Sequence, residues 1–308
     1  MALELAPPIA FPRLVPLRDR ADRDEVGTFR TPDGVDLRYT RYGSGGARAV
    51  VVAPGLFTDR SHPAHRLLAE RLAWVMDVIV LDVRGHGESG GAFTWGVREP
   101  DDIAAFARHL RVEYAQLGGL GFSFGGYHVG AAAALHRPFD AVAMVATPST
   151  FSIVNRHFLA RGLVRTIPAA LRRRRHLGQF RGQLRLGRPG PRPPAAVQLV
   201  ERIAPTPLLI AHGTADWLLS TAHAHALYAH AAEPKRLLLV EGGLHAEGIL
   251  LDHPERLLPS IASFFEEHLP LAASPGRPDE GAEALLAPVW LHPAESRTPV
   301  MLHRVEGD

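Results

Sequence analysis

Six short and almost continuous apolar runs constrain the fold of this chain most strongly. They lie at 48–55, 77–85, 116–123, 140–148, 206–213 and 235–243. Runs of this kind, separated by patterns typical of amphipathic helices, indicate strands that are buried on both faces, as in a parallel sheet. Two further strand-like runs flank Asp33-Gly34, which predicts an antiparallel hairpin near the N-terminus. The pattern therefore predicts an α/β fold with a mostly parallel sheet.

The alternation of strands and helices is interrupted in three places, which divides the chain into regions. Residues 1–24 are rich in proline and then in charge, and we expect an irregular N-terminal arm. Residues 149–200 have short helical patterns but no strand pattern, and we expect an arginine-rich cap inserted over one edge of the sheet. Residues 271–308 form a proline-rich C-terminal tail without periodicity. The core then comprises residues 25–148 and 201–270.

The expected cap is strongly basic, although the whole chain has a formal net charge of only +2. No acidic residue lies between Asp140 and Glu201, whereas four consecutive arginines occupy 172–175. One interpretation is a set of solvated cap helices in an arginine-biased composition. The other is a positive field that attracts anionic substrates or a phospholipid surface, with weak membrane contact. Aromatic residues are nearly absent from this stretch, so nucleic acid is not an expected partner.

Several classes of protein and site are disfavoured by what the sequence lacks. The chain contains no cysteine, which excludes disulfides, thiolate metal sites and a cysteine nucleophile. The N-terminus has no signal-peptide pattern, and no run approaches the roughly 18 apolar residues of a membrane span. Phosphate-binding and dinucleotide-binding glycine motifs are also missing, so we expect no cofactor. A cytoplasmic protein without a transmembrane segment is the resulting prediction.

Histidines are frequent in this chain and invite a metal-site interpretation. Four of them lie in or near the sequence AHAHALYAH, namely His212, His223, His225 and His230. No carboxylate stands at ligand spacing beside them, so we predict packed or solvated side chains and no metal site. His253, in LDHPER, is predicted to begin a helix.

The sequence GFSFGG at 121–126 carries the first catalytic indication. Ser123 follows a predicted strand and precedes a helical pattern, with Gly121 and Gly125 on either side. This is the G-x-S-x-G pattern, in which small neighbours allow a serine in a strained turn to expose its hydroxyl. We therefore predict that Ser123 is a nucleophile.

Two further polar residues follow predicted strands. Asp216 comes after the strand at 206–213, and His245 comes after the strand at 235–243. Because ligands bind beyond the carboxyl ends of parallel strands, these side chains are expected near Ser123. A histidine base activates a serine hydroxyl, and a carboxylate orients that histidine and stabilises its charged form. The pattern predicts a Ser-His-Asp triad.

The order of these motifs makes the chain resemble the α/β-hydrolase superfamily over about residues 26–268. The resemblance implies an eight-stranded, mostly parallel sheet with helices on both faces and a helical cap insertion. LDVRGHGES at 81–89 is similar to a loop of its esterase, lysophospholipase and serine peptidase branches. Within that loop we predict that the polar side chains brace the pocket; they are Asp82, Arg84, His86 and Ser89.

The resemblance also implies an oxyanion hole formed by two backbone N–H groups, those of Leu56 and Phe124. The chain departs from many relatives just before the first of these. Where they have His-Gly, this chain has Pro54-Gly55, so the turn is retained and the histidine is not.

Taken together, these residues predict a serine hydrolase that cleaves a small-molecule carboxylic ester or thioester through a seryl-acyl intermediate. An amidase, a peptidase or an acyltransferase of the same fold is one alternative. The other is a non-catalytic hydrolase-like protein that binds an anionic lipid or a partner through its basic cap. Anionic and acyl-lipid substrates both remain open, and the sequence predicts no oligomeric state.

Overall fold

Eight strands form one sheet in the computed structural model, which describes residues 24–43, 45–151, 184–188 and 190–270. The strands are β1 (Glu25–Arg30), β2 (Asp36–Tyr42), β3 (Arg48–Ala53), β4 (Asp77–Leu81), β5 (Gln116–Phe122), β6 (Ala141–Val145), β7 (Leu208–Gly213) and β8 (Lys235–Val240). Their spatial order is β1-β2-β4-β3-β5-β6-β7-β8. The β1–β2 and β2–β4 pairs are antiparallel, and the remaining pairs are parallel. The predicted hairpin and the mostly parallel sheet are thus confirmed.

Helices cover the sheet on both faces, as predicted. They are α1 (Pro63–Leu72), α2 (Glu99–Leu110), α3 (Phe124–His136), α4 (Ala196–Leu199), α5 (Ala222–His230), α6 (Glu247–Asp252) and α7 (Pro254–His268), with a 3₁₀ turn at Val200–Ile203. Successive residues of a strand point to opposite faces. In β3, Val51 therefore packs under α2 and α3, whereas Val50 and Val52 pack under α1 and α7.

The inserted segment is only partly described. Residues 152–183 of the expected cap, the arm at 1–23 and the tail at 271–308 lie outside the described residues. The chain is described again at 184–188, where Leu184 pairs with His86 and Leu186 pairs with Phe93. None of the helices in the described ranges is long and apolar enough to cross a membrane.

Candidate active site

Ser123 occupies the tight turn between β5 and α3, at the carboxyl edge of the sheet. Its backbone has φ 51° and ψ −117°, a conformation that residues other than glycine rarely adopt. Backbone segments pack so closely around this turn that its neighbouring positions have no room for a side chain. A Cβ atom at Gly121 would lie 2.3 Å from the carbonyl oxygen of Gly125, and one at Gly125 would lie 2.1 Å from that of Ala53. The two glycines are therefore required by close backbone packing.

The structure brings Ser123, His245 and Asp216 into one hydrogen-bonded chain. His245 Nε2 lies 3.0 Å from Ser123 Oγ, and its Nδ1 lies 2.7 Å from Asp216 Oδ2. Asp216 follows β7, and His245 follows β8, so neighbouring parallel strands deliver both side chains to the same edge. The three residues predicted from separate motifs are adjacent in space.

The Asp216 carboxylate is buried and held from several directions. Its Oδ1 accepts the backbone N–H groups of Leu218 and Leu219 at 2.8 and 2.9 Å. On the other oxygen, His212 Nε2 lies 3.3 Å away, beside the contact with His245. Burial alone would raise the pKa of Asp216, but the His245 charge and the hydrogen bonds from both imidazoles lower it below its usual range. Asp216 is therefore ionised across the neutral pH range.

The pKa of His245 shifts in the opposite direction to that of Asp216. Burial would lower the pKa of its imidazole, but the Asp216 carboxylate beside Nδ1 outweighs this and raises the pKa above 6.5. A carbonyl or carboxylate acceptor at Nδ1 also fixes the tautomer, so Nε2 of the neutral ring is an acceptor facing the serine hydroxyl. The ring can thus remove a proton from Ser123 Oγ.

Ser123 and His245 line a cavity of about 290 Å³. Most of the remaining wall is apolar, and its larger side chains are Leu56, Phe57, Phe124, Trp217, Leu218 and Leu219. The Trp217 and His245 rings are 6.3 Å apart in an edge-on arrangement. Concave sites with an apolar wall and a few convergent polar groups are typical of small-molecule binding.

The two predicted oxyanion donors, Leu56 and Phe124, belong to the same cavity wall. Phe124 begins α3, so its N–H lies at a helix N-terminus, where amide groups lack intrahelical acceptors. Leu56 follows the Pro54-Gly55 turn at the end of β3. The two residues thus reach the cavity wall from different elements, and their role as oxyanion donors stays a prediction.

Comparisons with known proteins agree with this architecture. A family model described as the alpha/beta hydrolase fold matches residues 48–169. The solved structure of the α/β-hydrolase GrgF from Penicillium sp. has a TM-score of 0.65 at 18% identity, covering 80% of this chain and 99% of its own. A Pyrococcus furiosus esterase has the same TM-score at 19% identity, covering 84% and 97%.

The chain has the α/β-hydrolase fold. A thermophilic esterase from Thermogutta terrifontis is also similar, with a TM-score of 0.60 at 21% identity over 79% of this chain and 99% of its own. At such identities the likeness establishes the fold alone. The resemblance inferred from the motifs is confirmed.

Curated relatives match over much shorter segments. An uncharacterized protein of Pseudomonas aeruginosa is 41% identical over 71 residues, 23% of this chain and 18% of the relative. The uncharacterized protein YfhR of Escherichia coli O157:H7 is 34% identical over 65 residues, 21% and 23% respectively. The chain thus aligns with about a fifth of the length of these relatives.

The loop at 81–89 is buried except for Glu88, and none of its residues lines the described cavity. Arg84 donates to both oxygens of Asp102 at 2.7 and 2.6 Å and also bonds Asp33. Ser89 Oγ donates to the carbonyl of Asp82 at 2.6 Å. These contacts tie the loop to β2, α2 and the first hairpin, which is consistent with a bracing role.

The histidines are distributed as packed or surface residues in the described part of the chain, where no group of three or more His, Cys, Asp or Glu could hold a metal. His223 Nδ1 faces the backbone N–H and hydroxyl of Ser149, and His253 precedes α7. His225 and His230 lie on α5, a surface helix. Sequence reasoning missed the contact between His212 and Asp216. Nothing in the sequence distinguishes His212 from the other residues of its strand.

Sequence reasoning also missed Glu247 and His62 in the cavity wall. Glu247 is buried two residues after His245 and begins α6. His62 caps α1 by accepting the Ala64 N–H on Nδ1, and burial lowers its pKa to about 4. The sequence held only a weak signal for either, since a carboxylate in a first helical turn and a histidine before Pro63 are ordinary helix-start features.

Proposed function

We propose that this chain is a serine hydrolase that cleaves a carboxylic ester or thioester through a seryl-acyl intermediate. The observation that carries the proposal is the continuous hydrogen-bonded chain from Ser123 through His245 to Asp216, at the wall of an apolar cavity. The strained turn at Ser123 supports it, because such strain persists only where the surrounding structure enforces it.

In the first step, His245 Nε2 takes the proton of Ser123 as Oγ attacks the substrate carbonyl. The carbonyl oxygen becomes an oxyanion, which the backbone N–H groups of Leu56 and Phe124 stabilise. The bond to the leaving alcohol or thiol then breaks, and His245 returns its proton to that leaving group. Asp216 stabilises the imidazolium between the two transfers.

In the second step, water replaces the leaving group. His245 removes one proton from the water as its oxygen attacks the acyl carbon, and returns it to Ser123 Oγ when the acyl bond breaks. The products are a carboxylic acid and the free enzyme. No metal or cofactor enters either step.

The cavity favours an uncharged, apolar group next to the reacting carbon. Its wall is mainly leucine and aromatic side chains, and the ionisable residues among its described lining are His62, His245 and Glu247. Similar solved structures include two esterases, which is consistent with ester cleavage. An anionic or acyl-lipid substrate would then contact other parts of the protein with its charged end.

A fluorophosphonate probe tests the proposal, since it labels a serine only when base and oxyanion donors are assembled. We expect labelling of the wild type and none of Ser123→Ala. Ser149→Ala is the matched control, because Ser149 Oγ also lies 2.9 Å from an imidazole, that of His223. Labelling that persists in Ser123→Ala, or is missing from the wild type, contradicts a working triad.

The alternatives give different results in the same preparations. An acyltransferase forms a new ester when an alcohol is added, whereas a hydrolase releases the acid. An amidase or peptidase cleaves amides as well as esters, whereas an esterase cleaves only the esters. A non-catalytic binder retains vesicle or partner binding but hydrolyses no member of an ester and thioester panel. The expected cytoplasmic location stays a prediction.

A further inference from the structure

We propose that Glu247 and His65 form a buried pair that positions the oxyanion turn at 54–56, and that efficient hydrolysis depends on this pair. The inference rests on the proposed function, because it concerns the same cavity. Glu247 and His65 come from α6 and α1, two helices that pack against each other beside the turn. They are positioning residues, and neither is a member of the predicted triad.

One carboxylate oxygen of Glu247 contacts two polar groups of the turn. Oε1 accepts the N–H of Gly55 at 2.8 Å and lies 2.9 Å from the Thr58 hydroxyl. The same hydroxyl lies 2.9 Å from the Gly55 carbonyl oxygen, so its single proton lies between two acceptors, this carbonyl and the carboxylate. A Cβ atom at Gly55 would lie 3.0 Å from Oε1, which shows how closely the turn rests on the carboxylate.

These contacts fix the peptide that precedes the predicted donor. The N–H of Gly55 is directed at Glu247, and the next N–H along the chain is that of Leu56. Thr58 N–H closes the turn on the Gly55 carbonyl at 3.2 Å, and Phe57 has a φ of 67°. A non-glycine residue at positive φ is strained and persists only when its surroundings hold it. The Glu247 contacts with Gly55 and Thr58, on either side of Leu56 and Phe57, provide that support.

An uncompensated carboxylate beside an oxyanion site would oppose the negative charge that develops during the reaction. His65 supplies the compensation. Its ring is fully buried, with Nδ1 2.9 Å from the Asp59 carbonyl oxygen and Nε2 3.1 Å from Glu247 Oε1. Both nitrogens therefore face oxygen acceptors, and the ring can donate a hydrogen bond from Nε2 to the Glu247 carboxylate.

The carboxylate thus has hydrogen-bond partners in Gly55, Thr58 and His65, which a buried charge requires. Burial would raise the pKa of Glu247, but the His65 ring and the Gly55 N–H lower it to about 2. The carboxylate thus remains an acceptor for Gly55 at neutral pH.

Glu247→Gln tests the proposal, because it removes the charge with little change in size. We expect kcat to fall about 10- to 100-fold with KM within about twofold, less than the roughly 10²–10³ reported for complete loss of an oxyanion donor. Affinity for a trifluoromethyl ketone analogue of the ester should fall by the same factor, since its adduct with Ser123 carries the oxyanion. A general loss of packing would not lower kcat and the affinity for the ketone by the same factor.

Glu99→Gln is the matched control. Glu99 is fully buried in the first turn of α2, accepts the Gly96 N–H at 2.8 Å and bonds the Thr94 hydroxyl, but lines no part of the described cavity. We expect this variant to lose thermal stability while kcat and ketone affinity stay within about twofold of wild type. Equal kinetic effects of the two substitutions would overturn the positioning role of Glu247.

Thr58→Val provides a milder test if Glu247→Gln does not fold, since it removes only the hydroxyl that lies between the Gly55 carbonyl oxygen and the carboxylate. We expect kcat and ketone affinity to fall together by about threefold to tenfold, the loss of one hydrogen bond of about 1 kcal/mol. Unchanged constants would overturn the proposal. Failure of the proposed function itself is distinct, because the wild type would then neither turn over esters nor label at Ser123.

Discussion

His245 Nε2 lies 3.0 Å from Ser123 Oγ, although 122 residues separate the two along the chain. The contact exists because β5 and β8 end at the same edge of the sheet and each is followed by a short turn. Only the neutral imidazole can accept the serine proton, so the protonation of His245 should control the rate.

The pH dependence of kcat/KM should therefore show an acid limb that belongs to His245. The Asp216 carboxylate raises the pKa of this imidazole above its ordinary value, and activity should fall as the pH drops through this raised pKa. In Asp216→Asn this influence is lost, so the limb should move to lower pH while kcat falls by up to about 10⁴-fold. Ester turnover measured between pH 5 and 9 tests both; an unchanged limb in Asp216→Asn would contradict the assignment.

His212 also contacts the Asp216 carboxylate, so it should affect the pH at which the acid limb of His245 falls. Its Nε2 lies 3.1 Å from the Leu219 carbonyl and 3.3 Å from Asp216 Oδ2. His212→Leu removes this donor, which leaves more charge on Asp216 and should raise the pKa of His245 further. We expect the acid limb to move up by as much as about one pH unit, the equivalent of one hydrogen bond.

His212→Gln provides the comparison, because its amide can still donate toward Asp216. The Gln variant should restore the limb of the wild type at least in part. A limb that stays in place in His212→Leu, or that moves equally in both variants, would show that His212 acts only through packing.

Much of this arrangement could be predicted because its signals are local. Each buried strand is a short apolar run, and Ser123, Asp216 and His245 each follow one of them. Parallel strands place their carboxyl ends together, so three local patterns were enough to predict one constellation. The glycines at 121 and 125 marked the tight turn for the same reason.

The contacts of Glu247 could not be predicted in this way. Its partner Gly55 is 192 residues distant, and the contact depends on how α6 packs beside the turn after β3. His212 likewise reads as a strand residue, and its role depends on the path of the chain from Asp216 to Leu219. Side-chain pairs that arise from packing between elements leave no periodicity in the sequence.

The buried ion pair at Arg84 should contribute to stability and little to catalysis. Arg84 donates to Asp102 in the core and to Asp33 at its edge, away from the described cavity. Arg84→Met leaves the Asp102 carboxylate buried and unpaired, which should cost about 3–5 kcal/mol of the free energy of unfolding. In contrast, kcat of the folded fraction should stay within about twofold.

Arg30→Met is the control for this loss, since the Arg30–Asp36 pair is exposed and should contribute less than about 1 kcal/mol. The free energy of unfolding in urea and kcat for an ester should be measured for both variants. A similar small loss in the two variants would mean that the Arg84 pair is solvated in solution, and a large loss of kcat would place the loop in the reaction.

Gly121→Ala should disrupt the turn and the reaction together. The added methyl group would lie 2.3 Å from the Gly125 carbonyl oxygen and 2.4 Å from Gly126 N, so the first turn of α3 must shift and carry Ser123 with it. Overpacking against backbone should cost about 3 kcal/mol of the free energy of unfolding, and a displacement near 1 Å about 10²-fold in kcat. Gly46→Ala is the control, because the nearest atom to its methyl group is Asp77 Oδ1 at 4.0 Å. If Gly121→Ala matched Gly46→Ala in urea unfolding and turnover, the strained turn would not be what holds the nucleophile in place.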